Sequence, residues 1–139
     1  MIYGVMLLYL CIGGIDLKVL IVDDEEFERN TLKSLLLEMQ EDFTIIEAAD
    51  GSEGLDKYKQ YHPDIVFADI MIQGGIGGDW LIEKLLKDCG NANIIVCSGL
   101  PEQKLLKFVL MGAKKVLQKP VKYKELYKCI DDVKEMMSV

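Results

Sequence analysis

Residues 18–22, KVLIV, run straight into Asp23, Asp24, Glu25 and Glu26, and this junction decides the fold class. A short β-branched apolar run without polar alternation is the mark of a strand buried on both faces. Such a strand belongs inside a sheet that has helices on either side. The four acids that follow show where the chain leaves the core.

The same alternation continues outward from this stretch. Phe27 to Met39 carries Leu32, Leu35, Leu36 and Met39 at helical spacing. Thr44 to Glu47 reads as a second strand, and Ser52 to Gln60 as a helix with Leu55 and Tyr58. Ile65 to Ala68 is a third strand ending at Asp69, and Asp79 to Lys87 a helix with Leu81, Ile82, Leu85 and Leu86 inward. Asn93 to Cys97 is a fourth strand, Glu102 to Met111 a helix that Gly112 is placed to end, and Lys115 to Leu117 a fifth strand. Lys122 to Met137 closes the pattern with Leu126, Ile130 and Val133 inward. Strands separated by helices imply right-handed crossovers and a parallel sheet, hence an α/β domain.

With 139 residues, half of them hydrophobic, the chain is sized for one compact domain with a core of its own. A net charge of -7 argues against direct binding to nucleic acid or anionic lipid, which requires clustered Lys and Arg. Proteins and cations are the expected partners. Cys11, Cys89, Cys97 and Cys129 form no C-x-x-C pair, and His62 is the only histidine, so a zinc site is not expected. Cys97 reads as a small buried hydrophobe, and a reducing cytoplasm suits this cysteine usage.

Residues 1–16 stand apart from the domain proper, 17–139. MIYGVMLLYLCIGGI is apolar and uncharged, but it is shorter than the ~20 residues of a membrane span and lacks the basic start of a signal peptide. An extra strand or helix lying on the domain is one reading, and a short anchor another. The favoured expectation is a translated leader. Gly13 and Gly14 sit just before Leu17, where GGA-GGN codons would resemble a ribosome-binding site ahead of a TTG start.

In open parallel sheets, ligands bind beyond the carboxyl ends of the strands. Asp23, Asp24, Glu25 and Glu26 follow the first strand, Asp69 the third, Ser98 and Gly99 the fourth, and Gln118, Lys119 and Pro120 the fifth. Two carboxylates ~4 Å apart repel by about 4 kcal/mol at an effective dielectric near ~20. Three on one rim therefore need protons or a cation. Oxygen-only ligands select a hard cation, and Mg²⁺ is the common solution. Asp69 then offers a carboxylate nucleophile, with Lys119 and the Ser98 hydroxyl set to hold phosphoryl oxygens. Each residue also has a plainer reading: Asp23 and Asp24 as a helix cap, Asp69 as a turn former, Ser98 as a strand-end polar group, Lys119 as a surface lysine. Those readings do not account for the coincidence of four strand ends.

VLIVDDEE (Val19 to Glu26), PDIVFADIM (Pro63 to Met71), VCSG (Val96 to Gly99) and QKPV (Gln118 to Val121) resemble the receiver domains of bacterial two-component response regulators. The likeness covers Leu17 to Met137. It implies a flavodoxin-like (βα)5 doubly wound parallel sheet with strand order 2-1-3-4-5. It implies that Asp69 takes a phosphoryl group from a sensor histidine kinase or phosphotransfer protein. It also implies Mg²⁺ held directly by Asp24 and Asp69, through water by Asp23, and by the backbone carbonyl of Met71. Lys119–Pro120 is expected cis, which an X–Pro bond adopts cheaply. A downstream effector protein completes the expected partners, with residues Leu100 to Lys128 as the reporting face and room for a weak homodimer.

Three departures accompany the likeness. Gln73 stands where the family has proline, and the glycines from Gly74 to Gly78 make a longer, looser loop. Val116 replaces the family's switch aromatic three residues before the lysine, so no ring can follow Ser98. Gly99 replaces a common alanine. The first two motivate a rival, a pseudo-receiver serving as a phosphorylation-independent interaction module. Steady enzymatic turnover is not expected, because Met71 occupies the position where aspartyl-nucleophile hydrolases keep a second acid. A dinucleotide site fails for want of G-x-G-x-x-G after the first strand. Trp80, the sole tryptophan, is expected mainly to pack, while lying near enough to the Asp69 loop to report on it.

Overall fold

The computed structural model describes residues 16–39, 41–72, 75 and 77–137; the expectations for the N-terminal leader fall outside them. Strands β1 (Leu17–Val22), β2 (Phe43–Ala48), β3 (Ile65–Ala68), β4 (Ile94–Ser98) and β5 (Lys115–Gln118) form one parallel sheet in the order β2-β1-β3-β4-β5. Helices α1 (Glu26–Leu37), α2 (Gly51–Tyr61), α3 (Gly78–Asp88), α4 (Glu102–Met111) and α5 (Tyr123–Met137) alternate with them. The flavodoxin-like doubly wound order implied by the resemblance is the observed one.

The period of two in a strand explains the layers. Val19 and Ile21 of β1 face a core shared with Leu32 and Leu36 of α1 and Leu126, Ile130 and Val133 of α5. Leu20 and Val22 face the opposite core, with Leu81, Ile82 and Leu85 of α3 and Leu105 and Phe108 of α4. Both faces of β1, β3 and β4 are thus covered, as their unbroken apolar runs require. Each fully buried Leu, Ile or Phe stabilises the fold by about 2 kcal/mol, so these three strands anchor everything attached to them.

Several boundaries move by one or two residues. Ser98 is the last residue of β4, and α1 ends at Leu37, with Met39 buried just beyond it. In α2, Leu55 and Tyr58 are half-buried, and Gly51 and Gly54 are the buried residues. A Cβ at Gly54 would lie 2.9 Å from Leu81 Cδ2 and 3.0 Å from Val22 Cγ2, so the glycine lets α2 sit close against β1 and α3. Gly112 ends α4 at φ 125°, a left-handed conformation that glycine adopts without strain. Trp80 departs from the packing expected of it and is 38% exposed.

Candidate functional site

The carboxyl ends of β1, β3 and β5 bring Asp23, Asp24, Asp69 and Lys119 together. One carboxylate oxygen from each of Asp23, Asp24 and Asp69 lies within 4.8 Å of the other two. The helix-cap reading of the first pair does not hold, because the cap of α1 is Glu25, without a side-chain cap bond. Instead Asp23 Oδ1 accepts from the Glu25 N–H at 3.0 Å, which turns the chain out of β1. Arg29, one turn into α1, donates to the Asp23 carbonyl at 2.6 Å and to Glu47 Oε1 at 3.1 Å. It ties the β1–α1 turn to the edge strand β2. The sequence reading missed this residue, whose partner on β2 becomes visible only once the strands are paired.

Asp69 is positioned by backbone. Its N–H donates to the Val22 carbonyl at 2.9 Å, continuing the β1–β3 pairing, and its Oδ1 accepts from the Met71 N–H at 2.9 Å. Met71 therefore reaches the site through its main chain, while its side chain points outward and is 56% exposed. Gly78 supports the other side. A Cβ there would stand 1.8 Å from the Asp69 carbonyl oxygen, so only glycine lets the start of α3 press on the residue after β3. The glycine run reads as slack in sequence, but Gly78 within it is a point of close contact.

Lys119 crosses the rim and donates to Asp23 Oδ2 at 2.6 Å and Asp69 Oδ2 at 2.9 Å. Its peptide bond to Pro120 is cis. Asp23 and Asp69 are 5% and 8% exposed, so these are charges largely out of water. Burial pushes the Asp69 carboxyl above its usual range, against the pull of Lys119 and the Met71 N–H. Burial alone would lower the Lys119 ammonium, but its hydrogen bonds to Asp23 and Asp69 more than reverse that and hold it protonated. Lys119 pairs with two of the three converging acids, Asp23 and Asp69.

Ser98 is fully buried at the end of β4, and its Oγ accepts from the Leu100 N–H at 3.2 Å. Val116 on β5 is half-buried against the second core. Cys97 is buried below the rim, where desolvation pushes its thiol far up, and Cys129 is raised to about 12. Both behave as hydrophobes rather than thiolates. A cavity of about 340 Å³ opens beside the rim, with Asp23, Asp69 and Lys119 on one wall and Phe27, Glu28 and Thr31 of α1 on the other. Glu28 was also missed in the sequence, where it looks like one more acid in the first turn of a helix.

A central parallel sheet with paired acids after β1, a lone aspartate after β3 and a lysine after β5 defines a receiver-type phosphoacceptor domain. The chain belongs to the response regulator receiver domain family, whose model matches residues 19–131. It is 39% identical over 120 residues to the chemotaxis protein CheY of Halobacterium salinarum, covering 84% of this chain and 95% of that one. It is 35% identical over 117 residues to CheY of Thermotoga maritima, covering 84% and 96%. A chain in the crystal structure of the CheX–CheY–BeF3–Mg²⁺ complex from Borrelia burgdorferi superposes with a TM-score of 0.78 at 30% identity, covering 86% of this chain and 90% of that one. The function is phosphorelay signal transduction, and no observation favours the pseudo-receiver. Among the described residues, no helix is long and apolar enough to cross a membrane.

Proposed function

We propose that Asp69 accepts a phosphoryl group from a sensor histidine kinase or phosphotransfer protein, with Mg²⁺ held by the carboxylates of Asp23, Asp24 and Asp69 and the Met71 carbonyl. The observation that carries this reading is the bridge of Lys119 Nζ between Asp23 and Asp69, within a group of three converging carboxylates. The all-oxygen donor set suits a hard divalent cation. Bound there, Mg²⁺ would neutralise charge developing on the phosphoryl oxygens.

The residues of the chain supply the remainder. Asp69 Oδ2 attacks phosphorus, the bond to the donor nitrogen or oxygen breaks, and an acyl phosphate forms on Asp69. Lys119 moves from Asp69 Oδ2 to a phosphoryl oxygen, and the Ser98 hydroxyl, while still accepting from the Leu100 N–H, donates its own proton to another. Because Ser98 pulls on the β4–α4 loop through Leu100, its movement shifts the population of surface conformations over residues 100–128, which a downstream effector protein reads. With Val116 in β5, that shift travels without an aromatic side chain. Met71 fills the position two residues after Asp69 where aspartyl-nucleophile hydrolases keep a general acid, so the protein acts as a switch without steady turnover. A cytoplasmic location, where kinases and free Mg²⁺ meet, accords with Cys89, Cys97 and Cys129, the described cysteines, which form no disulfide.

Incubation with Mg²⁺ and phosphoramidate, followed by intact-mass measurement, tests the reading. One added phosphoryl group is expected in the wild type and none in Asp69→Ala. A wild type that gains no mass refutes it.

A further inference from the structure

Glu28 has no task in the function proposed above, yet it stands at the site. It lies near the start of α1, its side chain is one-third exposed, and it lines the cavity shared by Asp23, Asp69 and Lys119. Its Oε2 is 3.9 Å from Lys119 Nζ. Lys119 therefore faces three carboxylates, at 2.6 Å (Asp23), 2.9 Å (Asp69) and 3.9 Å (Glu28). They are not equivalent. Asp23 and Asp69 belong to the converging cation-binding group, whereas Glu28 does not. During transfer the Asp69 carboxylate becomes the acyl oxygen of an acyl phosphate, its negative charge now lying on the phosphoryl oxygens, and Asp23 is committed to the cation. Glu28 is then the carboxylate facing Lys119 that keeps both its charge and its freedom.

We propose that Glu28 tunes phosphoryl transfer through Lys119: it competes for the Lys119 ammonium beside the cavity, and its charge sets the balance between cation and phosphoryl binding. The inference rests on the reading of Asp69 as phosphoacceptor. A carboxylate here strengthens the negative potential that draws a divalent cation. The same charge opposes an incoming phosphate dianion and competes with its oxygens for Lys119. Neutralising Glu28 therefore moves two properties in opposite directions, whereas a packing defect in α1 lowers both. The effects are modest and salt-dependent, because the side chain is partly exposed.

The test uses the full chain as wild type, Glu28→Gln and Glu28→Asp. Mg²⁺ affinity is measured by calorimetry without phosphodonor, and the second-order rate constant for acetyl phosphate by intact mass, at low and high salt. Expected for Glu28→Gln are an Mg²⁺ dissociation constant raised about twofold and a phosphorylation rate constant raised about threefold, both differences shrinking at high salt. Glu28→Asp keeps the charge and stays near wild type on both. If both properties fall together in Glu28→Gln, or neither moves, the inference is wrong while the phosphoacceptor reading stands. If the wild type itself takes up neither Mg²⁺ nor phosphate, the phosphoacceptor reading fails and carries this inference down with it.

Discussion

The acid rim and the surface built from residues 100–128 divide the charge of the molecule unequally. Lys119 of the rim apart, that surface holds seven of the sixteen basic residues but only two of the twenty-three acids, in a chain whose net charge is -7. At the rim, Asp23, Asp69 and Ser98 are all under a tenth exposed. On α4 and α5, Leu110 is 90% exposed and Leu106 and Tyr127 each 48%. The rim thus buries charge, which costs stability unless partners are held in place. The other surface exposes apolar groups beside lysines, which costs little in the monomer and suits contact with another protein. On the proposed reading chemistry and readout are separated in kind, so substitutions in the two regions should fail in different ways.

The sharpest break in that contrast comes from Lys119→Met. Removing the ammonium that bridges Asp23 and Asp69 takes away the cation from the developing phosphoryl charge, and the rate of phosphorylation is expected to fall at least ~10²-fold. Stability without Mg²⁺ should also drop, by roughly 2 kcal/mol, less than for a fully buried pair because the lysine keeps some solvent contact. Added Mg²⁺ should restore part of this. Urea denaturation with and without Mg²⁺ measures both, and an unchanged midpoint would show the bridge to be incidental.

Gly78→Ala probes how tightly the rim is held. The methyl group has no room against the Asp69 carbonyl, so α3 or the end of β3 must shift. A loss of about 2–3 kcal/mol is expected, in the range for overpacking. A loss below ~0.5 kcal/mol would mean that the loop yields freely and that the rim is softer than its contacts indicate.

Asp69→Asn works in the other direction and exposes the cost of function. Because burial raises the Asp69 pKa, the folded protein binds the proton more tightly than the unfolded chain. Its contribution to stability is therefore present at low pH and declines as pH rises from the ordinary carboxylate value through the raised native one. Asp69→Asn should flatten that part of the pH profile and, without Mg²⁺, stabilise the fold at neutral pH by about 1 kcal/mol. Thermal unfolding from acid to neutral pH in EDTA measures it. A variant less stable than wild type at pH 7 would contradict the assignment.

The same division explains what could be read from sequence. β3 was bounded correctly at Ile65–Ala68 because it is short, apolar and closed by an aspartate. Asp23, Asp24, Asp69 and Lys119 were legible because a parallel sheet gathers its strand ends whatever the details. Gly54 and Gly78 were not, since their importance lies in which atoms a distant segment presents to them. Arg29 and Glu28 were hidden for a related reason. Helical periodicity says which face of α1 is apolar, but not that its polar side meets β2 and the β5 loop. Leu55 and Tyr58 of α2 are half-buried against the second core, while the buried residues of that helix are Gly51 and Gly54, which helical spacing of apolar residues cannot single out.

The smallest expected effect is the one that best tests the separation. Leu110→Ala removes a side chain that is 90% exposed, on the outer side of α4, away from Leu105 and Phe108, which face the core. Its stability should lie within about 0.5 kcal/mol of wild type, because little buried area is lost and alanine favours the helix. Its phosphorylation rate should match wild type, since it touches no residue of the rim. If α4 is part of the reporting face, what changes is the affinity of the phosphorylated protein for whatever reads it. A pull-down comparison of phosphorylated wild type and Leu110→Ala against candidate kinase and effector proteins makes the point directly. Loss of the effector with retention of the kinase is the expected pattern. Loss of phosphorylation itself would show that the two regions are one machine, with the charge division a by-product of the fold.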